Sequence, residues 1–343
     1  VEVLNSIYEQ DFLGFSYGFR PGRGQHDALD ALATGILRKK VNFVLDADIC
    51  DFFTSLDQRH LERFLEHRIG DDRVLRLIQK WLRAGVIQDG EWSATEDGTA
   101  QGASIPPLLS NVYLHYVFDL WAAQWRRRHA CGEMIIVRFA DDYVAGFQFR
   151  EDAERFLADL RDRFAQFSLE LHPDKTRLIE FGWTAARDRA RRGERRPETF
   201  DFLGFTHQCA KNRKGRFMLR RVTSKKKMRA KLHSVKTEMR QRRHDPIPEQ
   251  RRWLASVLDG HYRYYGVPGN QQNMARFRFE VAKHWHTTLR RRSQRSRMTW
   301  ARMYCIALPW LPQPAVHHPW PQLRFDARTQ GRREQPTRLR PSW

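Results

Sequence analysis

Arg138-Phe139-Ala140-Asp141-Asp142-Tyr143 sets two adjacent carboxylates between the apolar runs Met134 to Phe139 and Tyr143 to Phe149. Both runs read as β-strands, so the pattern predicts a hairpin with Asp141 and Asp142 at its tip. An Asp-Asp turn taken alone is common and solvated in ordinary hairpins. A third carboxylate in a matching place changes that reading. Val41 to Ile49 reads as a buried strand running into Asp48, with Asp51, Phe52 and Phe53 just beyond. The predicted order is strand, helices, hairpin, helix (Glu151 to Phe167), strand (Thr176 to Phe181), which fits a split βαβ or ferredoxin-like sheet. Such a sheet lays the first strand beside the hairpin and sets Asp48 next to Asp141 and Asp142. Three carboxylates on one sheet edge form a hard oxygen site suited to two Mg2+ ions.

Charge divides the chain. Residues 1–180 hold 22 Lys/Arg against 29 Asp/Glu, net −7, and residues 181–343 hold 39 against 11, net +28. A mildly acidic half with a carboxylate cluster reads as catalytic. The basic half, interleaved with Trp, Tyr and Phe, reads as a clamp for a polyanion, most plausibly nucleic acid. At 343 residues the chain is long enough for two or three domains with cores of their own. Cys50, Cys131, Cys209 and Cys305 lie far apart with no CxxC spacing, which argues against a zinc site and suits reduced thiols. No apolar run reaches membrane-span length and no signal-peptide pattern opens the sequence. The expectation is a soluble, cytoplasmic protein with no membrane partner.

These blocks resemble a reverse transcriptase of the group II intron type. Phe139-Ala140-Asp141-Asp142 is similar to that family's carboxylate-pair motif, and Ala47-Asp48-Ile49 with Phe52-Phe53 resembles its first carboxylate motif. Further blocks agree in order: Tyr17 to Arg23, Leu109 to Leu114, Leu171 to Thr176, Phe202 to Phe205 and Gly260 to Gly266, so that the likeness runs from about residue 4 to about 325. The resemblance implies an α+β polymerase right hand with a ferredoxin-like palm, partial fingers and an all-α thumb/maturase domain. The expected bounds are fingers at 1–40, palm at 41–207, thumb/maturase at 208–308 and a basic, Pro-rich, poorly ordered tail at 309–343. It implies a bacterial RNA-directed DNA polymerase that takes an RNA template, a DNA primer, dNTPs and intron RNA, with a splicing role and without the endonuclease domain some relatives carry. The sequence also looks cut at its front, where the family places more of the fingers.

The resemblance also assigns roles. Asp48, Asp141 and Asp142 are the expected catalytic and Mg2+-binding carboxylates. Ile49, Phe53, Gln101 and Lys175 are expected at the nucleotide, with Phe53 excluding a 2′-hydroxyl and Lys175 giving a proton to the leaving pyrophosphate. Strand alternation would let only one of Phe52 and Phe53 face the site, and the family pattern favours Phe53; a core phenylalanine is the plainer reading. Lys175 reads equally well as a solvated surface lysine. Arg20 and Arg23 are candidate template-phosphate contacts, and Tyr262, Arg263 and Tyr265 candidate RNA contacts, although ordinary aromatic packing would give the same tyrosine pattern. Ala103 and Pro106 depart from the family's glycine and serine, which touches the geometry of the nucleotide pocket. Helices are predicted at 26–40, 57–69, 71–84, 225–243, 249–264 and 270–292, a primer-gripping hairpin at 200–207, and a flexible basic insertion at 185–197. Two other functions fit the sequence: an RNA-binding splicing cofactor whose polymerase site is weak or inactive, and a domesticated or defence-associated reverse transcriptase.

Overall fold

The computed structural model describes residues 1–83, 86–88, 91–93, 106–212, 214–293, 298–306 and 308–330. The chain divides into two compact units, Val1–Glu198 and Thr199–Trp343. The division falls nine residues before the end expected for the palm. The fold is α+β.

In the first unit, α1 (Glu2–Tyr8) and α2 (Gln25–Arg38) precede β1 (Phe43–Ala47). Helices α3 (Phe52–Ser55), α4 (Gln58–Arg68) and α5 (Asp72–Arg83) follow, then the short hairpin β2 (Val86–Gln88) and β3 (Glu91–Ser93). Next come α6 (Pro106–Leu114), a π-helical turn (His115–Asp119), α7 (Leu120–Arg128), β4 (Met134–Phe139), β5 (Asp142–Phe147), α8 (Arg150–Ala165), β6 (Arg177–Glu180) and α9 (Trp183–Arg191). The stretch 185–197, expected to be flexible, is therefore largely helical: Arg189 and Arg192 pair with Glu180 and Glu194, and Arg187 lies over the Trp183 ring.

The principal sheet has the order β4-β5-β1-β6, with every neighbour antiparallel. This is the arrangement expected of a split βαβ sheet. Its central strand β1, Phe-Val-Leu-Asp-Ala, is apolar because it is covered by neighbours on both edges; Val44 and Leu45 are fully buried. One face packs on α6, the π turn, α7 and α8, through Val117, Phe118, Ala122, Phe156, Leu160 and Phe164.

The second unit opens with a three-stranded sheet, β7 (Phe200–Phe202), β8 (Phe205–Lys211) and β9 (Phe217–Thr223). It continues with α10 (Lys225–Gln241), α11 (Ile247–Tyr265), α12 (Gln271–Arg290), α13 (Trp300–Ile306) and α14 (Pro321–Gln330). Leu254, Leu258, Met274, Phe277, Val281 and Trp285 form its core. Composition alone made the stretch after Pro309 a disordered tail; α14 lies within it. No helix among the described residues is long and apolar enough to cross a membrane.

Candidate active site

Register brings the acidic residues together. Ala47 on β1 lies opposite Tyr143 on β5, so Asp48, the next residue, emerges beside the start of β5, where Asp142 pairs with Phe139 across the hairpin. Asp141 occupies the connecting turn, partly buried, and Asp142 is exposed. Burial pushes the Asp141 carboxyl above its ordinary range, and the negative charge of Asp48 pushes it the same way. Beyond β1 the chain bridges at Ile49 to Leu171, and the Asp48 carbonyl accepts from the His172 amide at 2.8 Å. That bridge delivers the loop carrying Lys175, whose Nζ lies 2.6 Å from Asp48 Oδ2. The Asp48 hydrogen bond raises the Lys175 pKa and keeps it an ammonium. Among the described residues no three His, Cys, Asp or Glu side chains are grouped closely enough, as they stand, to hold a metal ion. The register brings the backbone at Asp48 next to the start of β5, and Asp48 carries the Lys175 ammonium.

The turn is held from within the protein. Arg138 is 0% exposed. Its guanidinium donates to Asp119 Oδ1 at 2.7 Å and Oδ2 at 2.6 Å, to Asn111 Oδ1 at 2.9 Å, to Ser16 Oγ at 2.8 Å and to the Ala140 carbonyl at 2.8 Å. Ala140 has φ +57, a left-handed conformation uncommon for a residue with a Cβ. Asp119 is the last residue of the π turn, a feature frequent at functional sites. Asn111 and Ala140 fall in blocks that carry the family resemblance, whereas Ser16 and Asp119 do not. Two signals pointed at them, a lone arginine inside the apolar run 134–139 and a lone aspartate inside Val117-Phe118-Asp119-Leu120. A buried charge implies a buried partner. Replacing Asp119 by alanine leaves Arg138 uncompensated, and the expected loss is about 3 kcal/mol of stability, measured by denaturant unfolding; an unchanged midpoint would show that water reaches Arg138.

The loop at 14–23 serves the same turn. Arg138 donates its amide to the Phe15 carbonyl, and Tyr17 donates its own to the Arg138 carbonyl, both within 2.9 Å. Gly18 lies so close to the hairpin that a Cβ there would sit 2.2 Å from the Ala140 nitrogen. Asn111 Nδ2 donates to the Gly18 carbonyl at 2.6 Å. Arg20, expected at template phosphate, is buried instead. It pairs with Glu9 at 2.6 Å and donates to the carbonyls of Leu13 and Ser16, so its charge and donors are used inside the fold. Arg23 is half-exposed, donates to the carbonyls of Gly14 and Ser16 and lies over Tyr17.

Phe52 and Phe53 lie on α3, so strand alternation does not sort them. Asp51, at φ +38, turns the chain out of the strand direction. The helix buries Phe52 against Tyr113 and leaves Phe53 half-exposed at the edge of the core. Ile49 is buried in that core. Gln101 lies outside the described residues.

In the second unit, Tyr262 is a core residue, 1% exposed, donating to the Pro312 carbonyl, which removes it as an RNA contact. Tyr265 packs among Phe205, His261 and Tyr264, and Tyr264 donates to the Leu203 carbonyl. The Gly260–Gly266 and Phe202–Phe205 blocks are thus one packed joint, and the hairpin expected to close the palm belongs to this unit. Arg263 is exposed. So are Lys225, Lys226, Lys227, Arg229, Lys231, Lys236 and Arg240 on α10, while Phe279 and Tyr304, each more than half exposed, both contact the Trp300 ring. Thr199–Trp343 carries 33 Lys/Arg against 8 Asp/Glu, net +25.

Residues 1–207 match the family model described as reverse transcriptase (RNA-dependent DNA polymerase). The chain is 30% identical over 231 residues to protein YkfC of Escherichia coli, covering 57% of this chain and 61% of that protein. It is 35% identical over 113 residues to the group II intron-encoded protein LtrA of Lactococcus lactis, covering 33% of this chain and 18% of that one. A 91 kDa protein in the cob intron of Schizosaccharomyces pombe is 38% identical over 113 residues, with 14% of its length covered. The chain thus spans between 14% and 61% of the length of these relatives. Among solved structures, apo telomerase from Candida tropicalis superposes with a TM-score of 0.48 at 12% identity, covering 84% of this chain and 48% of that one.

Proposed function

Since the chain belongs to the reverse transcriptase (RNA-dependent DNA polymerase) family, we propose that it extends a DNA primer on an RNA template, with Asp48, Asp141 and Asp142 at the reacting centre. The observation that carries this reading is the register of β1 on β5, which sets Asp48 beside the Asp141-Asp142 turn. The donor set fits Mg2+: the donors are carboxylate oxygens, burial and Asp48 both resist ionisation of Asp141, and a cation, Lys175, is already drawn to Asp48. The three aspartates would hold the ions. A divalent pair, when bound, supplies Lewis-acid activation of the primer 3′-hydroxyl and charge neutralisation at the leaving phosphates.

Each neighbouring residue has its own task. Asp48 and Asp141 supply the negative charge that retains cations at the sheet edge. Lys175, kept protonated beside Asp48, would give a proton to the departing pyrophosphate. Phe53, half-exposed five residues after Asp48, would exclude a 2′-hydroxyl. The expected result of Phe53→Ala is ribonucleotide incorporation raised by roughly 10–100-fold, read as the ratio of kcat/KM for ribo- and deoxynucleotide; an unmoved ratio would transfer the gate to another side chain. The second unit, with its exposed cations and rings, supplies phosphate contacts and stacking surfaces for template and primer.

Primer extension by the whole chain on a primed RNA tests the reading. Template-dependent addition that a chelator of divalent cations abolishes is expected; addition indifferent to template or chelator would sink it. The group II intron-encoded relative favours a further, maturase role, binding of intron RNA by the same basic unit. Preference for intron RNA over an unrelated RNA of equal length would support that role, and equal affinity would remove it.

A further inference from the structure

Arg138 touches neither the proposed cations nor any group placed at the nucleotide, yet it is the most fully bonded side chain near them. We infer that Arg138 is a positioning residue: it fixes the Ala140-Asp141 turn and thereby sets how Asp141 faces Asp48. The inference rests on the reading of those two aspartates as a cation-holding pair.

The argument is one of geometry. A single planar fork reaches four separate segments, namely Ser16 in the loop before α2, Asn111 on α6, Asp119 in the π turn and the Ala140 carbonyl in the turn itself. Three of those segments are helix or are tied to helix, so the Ala140 carbonyl is bonded to the frame of the unit. Ala140 holds a left-handed φ of +57 one residue before Asp141, a conformation that persists in a residue with a Cβ only where its surroundings dictate it. From elsewhere in the chain Gly18 meets the preceding peptide, Phe139–Ala140, with room for a hydrogen and none for a methyl group. The turn is therefore restrained both by hydrogen bonds and by van der Waals contact.

Stability alone is a poor reason for this design. A buried ion pair is often no better for stability than apolar side chains of the same volume, because both ions lose their water. What the fork supplies is fixed direction, which lysine cannot reproduce with a single ammonium. The Arg138 charge also favours an ionised Asp141, and Arg138→Lys, which keeps that charge, separates placement from charge.

Two variants disturb the turn by independent routes. Arg138→Lys keeps the charge and loses the fork; Gly18→Ala leaves the fork and pushes on Ala140. Each is expected to raise the Mg2+ midpoint for primer extension at least tenfold with the KM for primer–template unchanged. Each should also weaken Mn2+ binding by the whole chain without nucleic acid, read by electron paramagnetic resonance. Phe156→Leu, a core change on α8 that lowers thermal stability away from the turn, serves as the comparison and should leave both midpoints in place. Unmoved midpoints in Arg138→Lys and Gly18→Ala, or equal movement in Phe156→Leu, would reduce Arg138 to a structural residue. Should neither variant fold, Ser16→Ala, which removes one acceptor of the fork and adds no bulk, is expected to move both midpoints in the same direction, and unmoved midpoints there would refute the inference. Full extension by Asp141→Asn in the same assay would instead overturn the underlying reading, and the inference with it.

Discussion

Replacing Asp141 by asparagine lowers nucleotide addition by about a thousandfold, since losing one carboxylate from a two-cation centre removes several kcal/mol of charge stabilisation and each tenfold is about 1.4 kcal/mol. Asp48→Asn has the same expected outcome. Binding of primed RNA by either variant stays within about threefold of the parent, because phosphate contact comes from the basic unit. The stability of the unloaded chain moves the other way. Burial and the Asp48 charge raise the folded-state pKa of Asp141, so the protonated form is favoured on folding; that contribution is present at low pH and is lost as pH rises through the raised folded value. At neutral pH an ionised Asp141 therefore lowers stability, and Asp141→Asn should melt higher than the parent in a chelator. A variant that is inactive and less stable at neutral pH would show that Asp141 serves the fold and not a cation.

Affinity for primed RNA is expected to fall by about 10³–10⁵ between 50 and 200 mM salt, the range for six to ten neutralised phosphates. The physical source is a unit with 33 Lys/Arg against 8 Asp/Glu. On α10, Lys225, Lys226, Lys227, Arg229, Lys231, Lys236 and Arg240 are exposed along one helix with Glu238 as the sole acid. Changing Lys225, Lys226 and Lys227 together to glutamine should flatten the slope of log K against log salt by about one for each lysine that meets a phosphate. A slope near zero for the whole chain would mean that the charge is a solvated surface and that the basic unit is no clamp.

Much of the first unit was legible because its strands and helices differ in period. The apolar run into Asp48, the Asp-Asp turn and the stripes of α4 and α5 were each read within a residue or two of their observed ends. Local pattern failed where a partner lies far along the chain or where one residue leaves the usual backbone region. Asp51 takes a left-handed conformation that composition does not announce, and it turns Phe52 and Phe53 from strand to helix. Arg20 sits in a Gly/Pro/Arg loop that looks like an exposed anion site, whereas its partner Glu9 lies eleven residues upstream on the far side of an aromatic turn. Tyr262 has the composition of a stacking surface and the burial of a core, and Tyr265 beside it is half-buried among other rings. The fork of Arg138 spans 122 residues back to Ser16, a separation no window of sequence resolves.

The central place of β1 governs the order in which this protein can mature on the ribosome. Its neighbours β5 and β6 begin about 100 and 130 residues later, which at 5–20 residues per second is a wait of roughly 5–30 s. Throughout that interval Phe43-Val44-Leu45 has no strand on either edge, and an unpaired apolar strand is a template for pairing with other chains. The proposed aspartate centre needs β1 and the Asp141-Asp142 turn together, so a product truncated before that turn lacks the centre and keeps a sticky edge. Slowed elongation between residues 50 and 140 would lengthen that exposure, and demand for a chaperone should rise with it while the finished enzyme stays unchanged.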